Sequence, residues 1–161
     1  MKIKENETVP SSEVFVLENG EPVKKNIENI LKNKKSVIFG LPGACTSVCS
    51  AKHLPGYVNN CEKYKQKGVD QIICMSVNDP FVMNAWGKEN NVGDKIIMVG
   101  DPFLNFTKAI GAEVDKSGRG LGMRSNRYTM LVDNLKVIKI QEEKDTGSCE
   151  ISAAENFLEL V

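Results

Sequence analysis

No stretch of this chain reaches eighteen consecutive apolar residues, so nothing in it reads as a membrane-spanning helix. The opening residues Met1-Lys2-Ile3-Lys4-Glu5-Asn6-Glu7 lack the apolar centre of a secretory signal, which points to a reducing cytoplasm, with import into an organelle left open. Net charge is also absent. The 21 basic side chains balance 21 acidic ones, which removes the electrostatic case for nucleic acid or an anionic membrane as partner. There is one histidine, His53, and no Cys-x-x-Cys, so a zinc site is not expected, nor any other metal or cofactor. Five cysteines (Cys45, Cys49, Cys61, Cys74 and Cys149) are odd in number and too sparse for a disulfide framework. In a reducing compartment each reads as a buried hydrophobe, a catalytic thiol or a metal ligand.

What is present suits one soluble domain over 1–161. A chain of 161 residues, 41% hydrophobic and 26% charged, can bury a core without staples. No repeat, low-complexity tract or linker interrupts it. Val14–Leu17 is an apolar run that ends at the turn signal Asn19-Gly20. Asn26–Leu31 has helical spacing. Ser36–Gly40 reads as a buried strand, followed by a loop from Leu41 and a helical region that contains Cys49. Gln71–Val77 is a second buried strand and Ile96–Val99 a third. Asp79-Pro80 caps a helix to Asn90, and Asp101-Pro102 repeats that pattern before a helix ending near Ile110. Tyr128–Val132 and Val137–Ile140 flank Asp133-Asn134 as a hairpin. Ser152, with Glu155 three residues on, reads as the capping box of a last helix. Alternating strands and helices predict an α/β fold with a central mixed sheet and helices on both faces. The terminal hairpin-plus-helix is the ending of a thioredoxin-like domain. Gly118, Gly120 and Gly122 form GxGxG, but no strand is expected before them and no helix after. They read as a flexible loop rather than a nucleotide cradle.

The informative segment is Gly40-Leu41-Pro42-Gly43-Ala44-Cys45-Thr46-Ser47-Val48-Cys49-Ser50. It lies where a buried strand gives way to a helix, and sites in open α/β sheets collect at the carboxyl ends of strands. A cysteine in the first helical turn feels unpaired N–H groups, which favour its thiolate. Thr46, three residues earlier, can present its hydroxyl to the same small ligand. Pro42 shields the site from bulk water. The alternative for Cys49 is a small buried hydrophobe at a helix start.

Pro42, Thr46 and Cys49 spell PxxxTxxC, and Cys49-Ser50-Ala51-Lys52-His53-Leu54-Pro55-Gly56 continues it. Ser76–Val82 with Trp86, and Gly120–Tyr128, extend the pattern in order along the chain. On these residues the chain resembles the atypical type II peroxiredoxins, the peroxiredoxin 5 group, and among them plant and bacterial glutaredoxin-dependent members. The resemblance implies a thioredoxin-like fold and a thiol peroxidase. Cys49 would be the nucleophile, with Thr46, Arg127 and Pro42 completing the active site. Arg127 is carried over because it precedes the aromatic Tyr128 at the start of the hairpin. His53 matches a position near the pocket, and a structural role is the other reading.

The peroxide would oxidise Cys49 to a sulfenic acid, with the charge on the leaving oxygen stabilised by Thr46 Oγ, Arg127 and the Cys49 backbone N–H. Glutathione with glutaredoxin, or thioredoxin, would then recycle it, and a homodimer is implied. Cys149, in the polar loop Asp145–Glu150, is a candidate resolving thiol that reads as exposed. Cys74, within a strand, reads as an inert core thiol, with a resolving role as the alternative. Cys45 stands where the family usually carries an aromatic. It reads as a buried spectator, with a Cys45–Cys49 disulfide as the alternative. Two rival functions remain: a thiol–disulfide oxidoreductase, which would want the missing Cys-x-x-Cys, and a non-catalytic redox-sensing or chaperone module on the same fold.

Overall fold

Residues 1–161 are described by a computed structural model. β1 (Glu13–Glu18) and β2 (Glu21–Asn26) form a hairpin whose turn, Asn19-Gly20, takes positive φ at both residues, as a tight hairpin turn requires. β2, Glu-Pro-Val-Lys-Lys-Asn, carries no alternation that would mark it as a strand. It forms because β1 offers it a full ladder from Glu13↔Asn26 to Glu18↔Glu21. Its proline sits harmlessly at the sheet edge.

The chain then runs through α1 (Ile27–Leu31), β3 (Lys35–Leu41), a π turn at Cys49–His53 and α2 (Leu54–Gln66). β4 (Gln71–Ser76), α3 (Pro80–Glu89), β5 (Ile97–Gly100) and α4 (Asn105–Ala109) follow. Last come β6 (Glu113–Asp115), β7 (Met123–Ser125), β8 (Tyr128–Asp133), β9 (Lys136–Glu142) and α5 (Ala154–Leu158).

Seven strands make one mixed sheet in the order β2-β1-β5-β4-β3-β8-β9. β3, β4 and β5 run parallel, and β8 pairs antiparallel to β3. The period of two decides the two faces. Val37, Phe39 and Leu41 of β3 and Cys74 of β4 join the core under α2, α3 and α5. Ile38, Ile73 and Met75 join the opposite core under α1 and α4. Helices thus cover both faces of a thioredoxin-like mixed sheet, as the alternation predicted.

Three local readings are corrected. α4 does not begin at Asp101-Pro102. Leu104 adopts φ +58° and breaks the chain there, and the helix starts at Asn105. The buried Asp101 carboxylate still serves the helix start, accepting from Phe106 N at 3.2 Å, Thr107 N at 2.8 Å and Thr107 Oγ1 at 2.7 Å. Ser152 is not the cap of α5. Its N–H and hydroxyl both donate to the buried Glu143 carboxylate at 2.9 and 2.8 Å, and Ala153 precedes the helix. Asp79, by contrast, caps α3 as expected, accepting Val82 N–H at 2.9 Å. Finally, a strand does precede the GxGxG segment. β6 and β7 pair with each other and carry the loop between them, although no helix follows.

Candidate active site

The end of β3 is shaped by one close approach. A Cβ on Gly40 would lie 2.1 Å from Tyr128 Cε1, so only glycine lets the Tyr128 ring cross the strand. Gly40 and Tyr128 are register partners. That register carries Arg127, the residue just before β8, to the mouth of the β3–α2 loop, although 78 positions separate it from Cys49.

The loop itself is built from short bonds. Gly43 O accepts the Thr46 hydroxyl at 2.8 Å, and Ser50 N–H donates to Thr46 O at 2.9 Å to close the first helical turn. Ala44 N–H donates to Asn78 Oδ1 at 2.9 Å, and the same oxygen accepts the Ser76 hydroxyl at 2.6 Å. Trp86 Nε1–H donates to Ser50 Oγ at 3.0 Å. Asn78 and Trp86, both in the quoted Ser76–Trp86 segment, therefore hold the loop from the neighbouring strand and helix. The sequence signal was there, but spacing alone assigned it no task.

Cys49 lies in the first helical turn and is fully buried. Arg127, also buried, donates from Nη2 to Cys49 Sγ at 3.2 Å and from Nη1 to His53 Nδ1 at 3.0 Å. Its Nε and Nη2 both donate to Thr146 O, at 3.3 and 3.0 Å. His53 Nδ1 must accept, because a guanidinium can only donate. The ring proton is thus on Nε2, which donates to Ser152 O at 3.2 Å. Burial, reinforced by the Arg127 charge and opposed by the Ser152 carbonyl, lowers the His53 pKa from 6.5 to about 3. A neutral imidazole can face a cation without repulsion, and so fix where that cation points.

Pro42, Thr46, Arg127 and Thr146 line a pocket of about 310 Å³ that opens to solvent over this cluster. The sequence-predicted residues Cys49, Thr46, Arg127, Pro42 and His53 thus come together. One detail differs: Thr46 uses its hydroxyl hydrogen on Gly43 O, so its oxygen faces a ligand as an acceptor rather than a donor.

The other cysteines correct two expectations. Cys45 is exposed, not buried, because it forms the tip of the loop at φ +65°. Cys149 is buried, not exposed. Glu143 accepts the N–H groups of Glu150 at 2.6 Å and Ser152 at 2.9 Å, which folds the segment inward. Burial raises the Cys149 thiol pKa, partly offset by Arg127. Burial also raises the Cys74 pKa well above the ordinary thiol range, with the Cys49 charge adding and Arg127 opposing. All five cysteines are free thiols. No helix is long and apolar enough to cross a membrane.

Known proteins match nearly the whole chain in sequence and fold. The redoxin family profile matches residues 4–158. Peroxiredoxin-2D of Arabidopsis thaliana is 40% identical over 153 residues, 94% of each chain. Mitochondrial peroxiredoxin-2F of Oryza sativa subsp. japonica is 43% identical over 135 residues, covering 84% of this chain and 68% of its own. The crystal structure of reduced Prx3 from Vibrio vulnificus in complex with H2O2 superposes with a TM-score of 0.93 at 40% identity, over 98% of both chains. Peroxiredoxin 5 from Alvinella pompejana superposes at 0.85 with 32% identity, over 97% of this chain and 96% of its own.

Proposed function

The chain belongs to the redoxin family and within it to the peroxiredoxins, thiol-dependent peroxidases that act on peroxide and draw reducing equivalents from thiol proteins, and from that premise we propose that Cys49 is the peroxidatic nucleophile. The observation that carries this is the Arg127 Nη2 contact to Cys49 Sγ at 3.2 Å, between two buried side chains beneath the pocket. A buried guanidinium beside the sulfur stands ready for the charge that forms on the leaving oxygen.

In this reading the substrates are hydrogen peroxide and alkyl hydroperoxides. The peroxide O–H donates to Thr46 Oγ, which orients the distal oxygen toward Cys49. The thiolate sulfur forms an S–O bond as the O–O bond breaks. The sulfur is oxidised by two electrons, and the alkoxide or hydroxide takes a proton and leaves as alcohol or water. Arg127 and the Cys49 backbone N–H stabilise the departing charge, His53 aims Arg127, and Pro42 covers the site.

Recycling is proposed to run through glutathione and glutaredoxin. A glutathione thiol attacks the sulfenic acid with release of water, and glutaredoxin reduces the mixed disulfide. Two features support this over an internal disulfide: Cys149 is buried behind the Glu143 clamp, and Cys74 lies in a central strand. Thioredoxin as reductant, with Cys149 resolving, is the competing route. The exposed Phe81 and Phe103 are side chains that a homodimer would cover. We place this one-domain enzyme in the cytoplasm.

The test is peroxide-dependent turnover with glutathione–glutaredoxin or thioredoxin, for wild type and Cys49→Ser. Cys49→Ser should be inactive and Cys61→Ser active. Turnover by a folded Cys49→Ser protein would overturn the assignment.

A further inference from the structure

The chain is neutral as a whole, yet the pocket above Cys49 is lined by three cations, Lys116, Arg119 and Arg127, and by no carboxylate. Arg127 at the floor is largely spoken for: four of its five N–H groups go to Thr146 O, His53 Nδ1 and Cys49 Sγ, which leaves one on Nη1 for substrate. Lys116 and Arg119 have no such partners, since neither takes part in an ion pair. The carboxylates next in sequence to the pocket residues Lys116 and Thr146 hydrogen-bond within their own turns. Asp115 accepts Ser117 N–H at 2.8 Å, and Asp145 accepts Gly147 N–H at 2.9 Å.

Both free cations sit on the GxGxG loop between β6 and β7, the motif to which the peroxidase reading gave no role. Arg124 holds that loop over the site. Its Nε donates to Leu121 O at 2.8 Å and its Nη1 to Pro42 O at 3.3 Å. Gly43 makes room for this brace, because a Cβ there would lie 2.7 Å from Arg124 Nη1. Between rim and floor the pocket offers apolar surface from Pro42, Val48 and Leu121.

We propose that Lys116 and Arg119 form an anion-binding rim that selects organic hydroperoxides bearing a carboxylate over neutral ones of equal bulk. This rests on the peroxidase reading above. The carboxylate docks at the rim, the carbon skeleton lies along Val48 and Leu121, and the hydroperoxide end reaches Arg127 and Cys49. Hydrogen peroxide has no charged end, so the rim does nothing for it. The pairs are close to solvent and salt will screen them.

The experiment uses single-turnover oxidation of the reduced full chain by a short hydroperoxy acid and by its methyl ester, so that recycling plays no part. At low ionic strength the second-order rate constant for Cys49 oxidation should be about tenfold larger for the acid than for the ester, about 1.4 kcal/mol. The acid-to-ester ratio should approach one in ~0.5 M salt, where the screening length is only a few Å. It should also fall to one or below in Lys116→Glu and in Lys116→Glu/Arg119→Glu. A wild-type ratio near one at low salt overturns the rim, and so does a preference that survives both salt and charge reversal. In either case the peroxidase reading stands if the ester is consumed. If neither hydroperoxide oxidises Cys49, the peroxidase reading itself falls and the rim with it.

Discussion

His53 is the group through which acid should first loosen this protein. It is buried against Phe39 and Tyr57, accepts from Arg127 and donates to Ser152 O. Its pKa is about 3 in the folded chain against 6.5 when unfolded. Between those values the unfolded chain holds more protons, so stability rises with pH. The contribution is complete above 6.5 and is lost as pH falls toward 3. Each unit is worth about 1.4 kcal/mol, so a descent to pH ~5 should remove about 2 kcal/mol through this residue alone. His53→Gln is the matched control. It cannot titrate, and its amide can still accept from Arg127 and donate to Ser152 O. Urea unfolding of both proteins from pH ~7.5 to ~5 gives the comparison. The wild type should lose about 2 kcal/mol more than His53→Gln across that range. Parallel curves would refute the neutral, buried imidazole, and with it the account of what aims Arg127.

Other expectations follow from the same contacts. Arg127→Ala should slow peroxide reduction by about 10²-fold; if it merely shifts the pH–rate profile and leaves the high-pH plateau intact, Arg127 acts on the thiolate alone. Thr46→Val removes the acceptor and the Gly43 bond at constant shape, and the chemical step should slow by about tenfold or more in single-turnover kinetics. Gly40→Ala should cost about 2–3 kcal/mol in denaturant unfolding, because the new methyl meets the Tyr128 ring; a neutral result would mean the ring can move aside. Cys149→Ser should leave glutathione-supported turnover nearly unchanged, and peptide mapping of the oxidised protein should find a glutathione adduct on Cys49. A dominant Cys49–Cys149 crosslink would instead establish the two-cysteine route.

Local chemistry and periodicity were enough for the strands β3 and β4, the cap of α3 and the β8–β9 hairpin, because each depends on neighbours within one turn or one alternation. They were not enough where distant groups supply the partner. β2 has no apolar alternation and exists because β1 gives it a ladder. Ser152 has the look of a helix cap, yet its hydroxyl is claimed by Glu143, a competitor nine positions back in the chain. Asp101 reads as a cap-plus-proline start, yet Leu104 turns the chain left-handed and delays the helix.

The candidate site divides in the same way. Pro42, Thr46 and Cys49 sit on one loop, so their spacing already limits where their side chains can go. Arg127 could be named from the motif around it, but its contact with Cys49 depends on the Gly40↔Tyr128 register. His53 could be flagged as the lone histidine, whereas its neutrality depends on burial and on which of its nitrogens meets Arg127. Cys45 and Cys149 take the opposite exposure from the one their sequence suggests, for a physical reason, whereas Cys74 is buried as its strand implies. A polar sequence such as Asp145–Glu150 signals a loop, but whether a cysteine in it faces solvent depends on what ties the loop down, here Glu143. In this protein the sequence by itself determined the chemistry that the β3–α2 loop can perform. Tertiary structure alone decided which cation faces the sulfur, which thiols are hidden and which charges are left free at the rim, because each of those depends on segments brought together only when the sheet closes.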